Sequence, residues 1–202
     1  MFMDGRLLDP KPMKVLDPRA RFADSQGNVA GPAVCDFWSW AFSDLRSNTT
    51  RGILAEFLVA WALGVREGVR AAWDDFDVLT PDGIRVEVKA SGYLQSWVQK
   101  RPSKISFGRL TGRTWSAETG EFGSERELRA DVYVFAIHTC SDPDRYDPLD
   151  LDAWHFLVLP RTRVAKAGSR SISLTTLRTL EAEEVSISGL VEAVRVARRA
   201  NG

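Results

Sequence analysis

The stretch Phe76-Asp77-Val78-Leu79-Thr80-Pro81-Asp82-Gly83-Ile84-Arg85-Val86-Glu87-Val88-Lys89 reads as a β-hairpin, and its register organises the rest of the chain. Thr80-Pro81-Asp82-Gly83 suits a type I turn: Pro81 is preset at the second position and Gly83 is free to take positive φ as a bulge. Thr80 then faces Ile84, Leu79 faces Arg85 and Asp77 faces Glu87. Along the second strand Ile84, Val86 and Val88 point one way and Arg85, Glu87 and Lys89 the other. Asp77 and Glu87 become cross-strand neighbours with Cβ atoms roughly 4.5–5.5 Å apart, where like charges repel unless a cation lies between them. Mg²⁺ suits such a site because it needs only one or two carboxylates and fills its other positions with water and phosphate. Lys89 is placed to hold a phosphate oxygen or an attacking water. The competing reading of the alternation is the solvated face of a half-buried strand.

Upstream, a helix is expected from about Thr49 to Leu63, ending at Gly64 as the C′ residue. Ile53, Leu54, Phe57, Leu58, Val59, Trp61 and Leu63 make it apolar on nearly every face, which predicts a mostly buried helix. Glu56 is the only charged residue between Arg51 and Arg66. A lone carboxylate there is costly to bury unless it is paired or ligates a metal.

A glutamate on a first helix, an aspartate on the next strand and Glu-x-Lys on the strand after it resemble the PD-(D/E)XK, or restriction-endonuclease-like, nuclease superfamily. The resemblance implies that Glu56 matches the helix acid, Asp77 the first metal ligand, Glu87 the second and Lys89 the motif lysine. The proline that names the motif is absent, since Phe76 precedes Asp77. Some members carry a glutamine on the helix after the lysine, a part open to Gln95 or Gln99. The segment from Thr50-Arg51-Gly52 to Glu56, the hairpin and Ser91-Gly92-Tyr93-Leu94-Gln95-Ser96-Trp97 together resemble a bacterial branch of this superfamily.

From Lys89 to Ala117 there are Lys100, Arg101, Lys104, Arg109 and Arg113 besides Lys89, and no acid; Tyr93, Trp97, Phe107 and Trp115 are interleaved. Cations at this spacing suit phosphate contacts, and some of the aromatics suit stacking on bases. Gln95, Gln99, Lys100, Arg101, Lys104, Arg109 and Arg113 are the expected nucleic-acid-binding residues. The formal net charge is +0, so the binding surface must be local.

Hydrophobic residues make up 44% and charged ones 27%, as in globular proteins, and no apolar run is long enough to span a membrane. The N-terminus does not read as a secretory signal. Two distant cysteines, Cys35 and Cys140, suit reduced thiols, and a cytoplasmic location is expected. His138 and His155 are the only histidines, too few for a histidine-metal site, and no glycine-rich phosphate loop appears, so no nucleotide cofactor is expected. Asp142, Asp144, Asp147, Asp150 and Asp152 lie in a proline-broken loop that lacks the glycine and terminal glutamate of a calcium loop.

The chain is expected to form a single domain over 1–202: an irregular arm at 1–33, a nuclease-like core at 34–160 and a C-terminal extension at 161–202 ending in a helix. Central strands are expected at Arg129–His138 and Trp154–Leu159, and further strands near Arg70–Trp73 and Lys104–Leu110. The fold class is α/β, a mixed central sheet flanked by helices, with the restriction-endonuclease-like core that the resemblance implies. The expected function is Mg²⁺-dependent hydrolysis of DNA phosphodiesters, with Mn²⁺ as a substitute ion. Asp77 and Glu87, the Val88 carbonyl and Glu56 are the metal's expected ligands. A non-catalytic nucleic-acid- or protein-binding module, and an enzyme acting on a small anion, are the alternatives; monomer and homodimer both stay open.

Overall fold

A computed structural model describes residues 13–70, 75–113, 115–116, 119–168 and 170–201. They fall into two compact units. The first, residues 13–41 and 67–70, holds a short antiparallel ladder of β1 (Arg21–Ala23) and β2 (Val29–Ala33), followed by helix α1 (Val34–Phe42). Asp24 and Gly27 shape the hairpin: the Asp24 carboxylate accepts the Gln26 and Asn28 amides at 2.9 Å, and Gly27 takes φ +84°. This stretch was expected to be irregular. Its ladder is held by a turn rather than by a hydrophobic period, so alternation could not reveal it.

The second unit contains the sheet. Its elements are α2 (Asn48–Ala62), β3 (Val78–Leu79), β4 (Arg85–Gly92), β5 (Ser106–Gly108), β6 (Trp115–Ser116), β7 (Glu121–Phe122), β8 (Val132–His138), β9 (Trp154–Pro160), α3 (Arg161–Lys166), β10 (Ser171–Ser173), α4 (Leu174–Thr179), β11 (Glu183–Val185) and α5 (Leu190–Arg199). Five strands run in the order β11-β9-β8-β4-β3; β4 and β8 are parallel and every other pair is antiparallel. The expected mixed sheet flanked by helices is therefore present. The segment after Pro160 supplies both an edge strand, β11, and a covering helix, α5.

Alternation divides the core between the two faces. Val86 and Val88 of β4, Val132, Val134 and Ala136 of β8, and Phe156 and Val158 of β9 pack with Ala55, Leu58 and Val59 of α2 and with Leu190, Val194 and Ala197 of α5. The intervening residues Tyr133, Phe135, Ile137, Leu157 and Leu159 pack with Phe107, Val164, Ile172 and Leu177 on the other face. Strand β8 is buried throughout, and truncating its Phe135 to alanine costs about 3–5 kcal/mol.

Helix α2 starts at Ser47, whose hydroxyl accepts the Thr50 amide, and stops in a Schellman motif. Val65 N–H reaches the Ala60 carbonyl, Gly64 N–H reaches that of Trp61, and Gly64 takes φ +83° as expected. The helix is not mostly buried, however. Phe57 is 61% and Trp61 50% exposed, because they lie off the face on which Ala55, Leu58 and Val59 pack into the core. The Arg66 guanidinium lies 4.2 Å above the Trp61 ring instead. Residues 71–73 of the strand expected near Arg70–Trp73 lie outside the described residues. No helix among the described residues is long and apolar enough to cross a membrane.

Candidate active site

The hairpin turn forms as its residues dictate. Gly83 takes φ +80° and donates its N–H to the Thr80 carbonyl, while the Thr80 hydroxyl bridges the Ile84 N–H (2.8 Å) and the Asp82 carboxylate (2.6 Å). The register is Leu79 opposite Arg85 and Val78 opposite Val86, as expected. The expected pairing of Asp77 with Glu87 does not form, because the ladder then departs from a simple hairpin. Asp77 donates its N–H to the Val86 carbonyl, which already faces Val78, so Asp77 is an extra residue at the entrance of β3, a one-residue bulge. Its carboxylate accepts the Val88 N–H at 2.7 Å, serving as the acceptor that a longer β3 would have provided. By strand alternation the Val88 carbonyl points off the same edge, past the end of β3.

Glu87 and Lys89 lie on the face of β4 that carries Tyr133 and Phe135 of the neighbouring strand, and they form an ion pair. Their side chains are 17% and 21% exposed, so the pair is mostly out of water. Burial pushes the Asp77 carboxyl up to about 7, and the charges of Glu87 and then Glu56 add to the shift. Burial also raises Glu87; Lys89 opposes this and Glu56 reinforces it. The repulsion belongs to the pair, and Glu56 on α2 is close enough to be felt by both acids. Glu87 and Lys89 are thus in contact, with Asp77 beside them and Glu56 near enough for its charge to act on both acids.

Asp77 and Glu87, but not Glu56, line a cleft of about 120 Å³ together with Arg109, Arg113, Arg129 and Tyr133. Arg129 and Asp75 form a 2.9 Å ion pair within this lining. Arg109 and Arg113 thus stand where the sequence placed phosphate contacts. Arg129 and Tyr133 were not foreseen. Tyr133 enters because β8 runs parallel to β4 with Tyr133 beside Glu87, a pairing that strand patterns alone do not specify.

The other expected contact residues lie elsewhere. Lys100, Arg101 and Lys104 line a separate open groove with Trp97, which is 57% exposed. Gln99 is committed to its own loop: its side chain accepts the Gln95 N–H at 2.7 Å and donates to the Tyr93 carbonyl and the Ser103 hydroxyl. Gln95 is buried and donates to the Gly92 carbonyl at 2.9 Å, and its amide oxygen receives both terminal nitrogens of Arg51 at 3.4 Å. Arg51, 1% exposed, also donates to the Leu94 carbonyl at 2.6 Å. Burial lowers the pKa of its guanidinium. A side chain at Gly92 would put its Cβ 3.2 Å from the Arg51 Cζ, which is why glycine stands there. Arg51 therefore ties α2, which carries Glu56, to the end of β4, which carries Glu87 and Lys89.

Among the described residues no three His, Cys, Asp or Glu side chains converge tightly enough to hold a metal by themselves. Two hard carboxylates in one cleft still match a cation that takes one or two protein oxygens and draws the rest from water and substrate. No curated protein matches the chain. The family model of bacteriophage T4 endonuclease IV matches residues 40–176, more than half of the chain, and these include α2, the hairpin, the cleft arginines and both central strands. The chain belongs to the bacteriophage T4 endonuclease IV family.

Proposed function

We propose that the protein is a Mg²⁺-dependent endonuclease that hydrolyses DNA phosphodiesters, with a site of the PD-(D/E)XK type. The observation that carries this reading is the cleft in which Asp77 and Glu87 face Arg109 and Arg113, with Lys89 paired to Glu87. Membership of an endonuclease family supports it. Asp77 and Glu87 would hold the cation, with Glu56 and the Val88 carbonyl within the same neighbourhood. A divalent ion bound there supplies polarisation of the scissile phosphate and a more acidic water. The chain's own part is to fix charge around that phosphate. Lys89, held in place by Glu87, offers its ammonium to the phosphate or to the leaving oxygen, and the arginines offer guanidinium donors. Low exposure of the acids and of Lys89 strengthens each of these interactions relative to water.

One observation favours the alternative of a binding module without hydrolysis. Glu87 already has Lys89 as its partner and Asp77 already accepts the Val88 N–H, so the carboxylates have internal roles. Cleavage of plasmid, linear duplex, single-stranded and branched DNA and RNA with Mg²⁺ or Mn²⁺ separates the two. The nuclease reading expects cutting that stops with chelator and in both Asp77→Asn and Lys89→Ala. Binding to DNA without cutting by any form would establish the module. Cutting that persists in both variants would place the chemistry elsewhere.

A further inference from the structure

Arg109 is built unlike the other cations of the segment. Its φ is 56°, in the left-handed region that residues with a Cβ seldom occupy, and the only other non-glycine residue with positive φ among the described residues is Glu181, just past the end of α4. The next residue, Leu110, is 2% exposed, and its carbonyl accepts the Tyr133 hydroxyl at 3.4 Å. Tyr133 in turn sits beside Glu87 in the parallel ladder. The backbone of Arg109 is thus pinned, through Leu110 and Tyr133, to the strand that flanks the acids. Arg109 makes no ion pair with any described residue, although it lines one cleft with Asp77 and Glu87; Lys89 is the cation that holds Glu87. An arginine placed to neutralise the acids would pair with them. One held apart across a small cleft leaves room for a ligand that is anionic towards the arginine and brings a cation to the carboxylates.

Resting on the nuclease reading above, we propose that Arg109 grips the scissile phosphate itself, through a non-bridging oxygen, while Arg113 and the Lys100–Arg101–Lys104 groove hold flanking phosphates of the same strand. The two roles have different kinetic signatures. A donor on the reacting phosphate stabilises charge that grows in the transition state and acts on kcat, whereas a flanking contact acts on KM.

The test compares Arg109→Gly, Arg109→Ala, Arg109→Lys and Arg113→Ala with the whole wild-type chain. Glycine accepts positive φ, so Arg109→Gly removes the guanidinium while keeping the backbone, and its melting temperature should equal or exceed that of wild type. Cleavage of a fluorescein-labelled DNA oligonucleotide with Mg²⁺ should show kcat lower by about 10²-fold in Arg109→Gly and Arg109→Ala. Arg109→Lys should lose less, and added guanidinium ion should restore part of the Arg109→Gly rate. Arg113→Ala should show mainly a raised KM. Binding of the same oligonucleotide in EDTA, read by anisotropy, should loosen by about tenfold in Arg109→Gly, as for loss of a charged hydrogen bond. Unchanged kcat in Arg109→Gly, whether or not KM rises, would overturn the assignment and leave the nuclease reading standing. Failure of wild type to cut would overturn that reading and the assignment with it.

Discussion

Two aspartates flank strand β4, and they are treated in opposite ways. Asp131, at the start of the strand, has three donors from Arg85: the guanidinium at 2.8 and 3.1 Å and the backbone N–H at 3.1 Å. Its side chain is 10% exposed, and the Arg85 bonds hold its carboxyl below the usual range despite burial. Asp77, at the other side of the hairpin, accepts a single backbone N–H and feels two carboxylates more than it feels Lys89, and burial with those charges pushes its carboxyl up to about 7. A fold that can equip one buried aspartate so fully could equip the other. On the nuclease reading proposed above, the lack of a direct cationic partner at Asp77 among the described residues leaves that place to a divalent ion. On that reading, Asp131 and Arg85 are architecture, and Asp77 and Glu87 are the site.

Cleavage breaks this comparison most sharply. With Mg²⁺, Asp77→Asn should lower kcat by at least about 10²-fold, while Arg85→Ala, once folded, should cut as wild type does. Equal loss in both variants would mean that the two carboxylates serve one structural purpose. Stability should move the other way. Arg85→Ala strands the Asp131 carboxylate and should cost about 1–3 kcal/mol in urea unfolding at neutral pH. Asp77→Asn keeps an acceptor for the Val88 N–H and removes a repelled charge, so it should stabilise the metal-free protein.

Titration sharpens the contrast through its sign. The folded-state pKa of Asp77 is raised, from an ordinary value near 3.8 to about 7, so the folded protein keeps a proton that the unfolded chain has lost. Its contribution therefore falls as pH rises from about 4 to about 7. Asp131 is lowered, so its contribution is present above the ordinary carboxylate range and is lost as pH falls through its folded value. Urea unfolding of metal-free protein across pH 4–8 should show the first trend in wild type and not in Asp77→Asn; identical profiles would remove the claim that Asp77 is electrostatically strained.

Much of this site was legible in the sequence because it is local. Pro81 and Gly83 fix a turn, and the turn fixes the register as far as Val78 opposite Val86, which brings Asp77 near Glu87 although not directly opposite it. The bulge at Asp77 was not legible, since it depends on β3 ending after two residues and leaving the Val88 N–H exposed. Nor was the division of the basic segment. Arg109 and Arg113 reach the cleft while Lys100, Arg101 and Lys104 do not, because β5 pairs with the distant strand β10 between them. Gln95 looked like a ligand-binding amide and is instead a support for the buried Arg51, a partnership across 44 residues that no local pattern carries.

Whether Asp77 and Glu87 form a cation site is decided by binding of Mn²⁺ to metal-free protein, followed by electron paramagnetic resonance, in wild type, Asp77→Asn, Glu87→Gln and Arg85→Ala. A bound-ion signal should be present in wild type and Arg85→Ala and lost in both Asp77→Asn and Glu87→Gln. Undiminished Mn²⁺ binding in Asp77→Asn and Glu87→Gln would contradict that site, and the raised pKa of Asp77 would then be a cost of the fold alone.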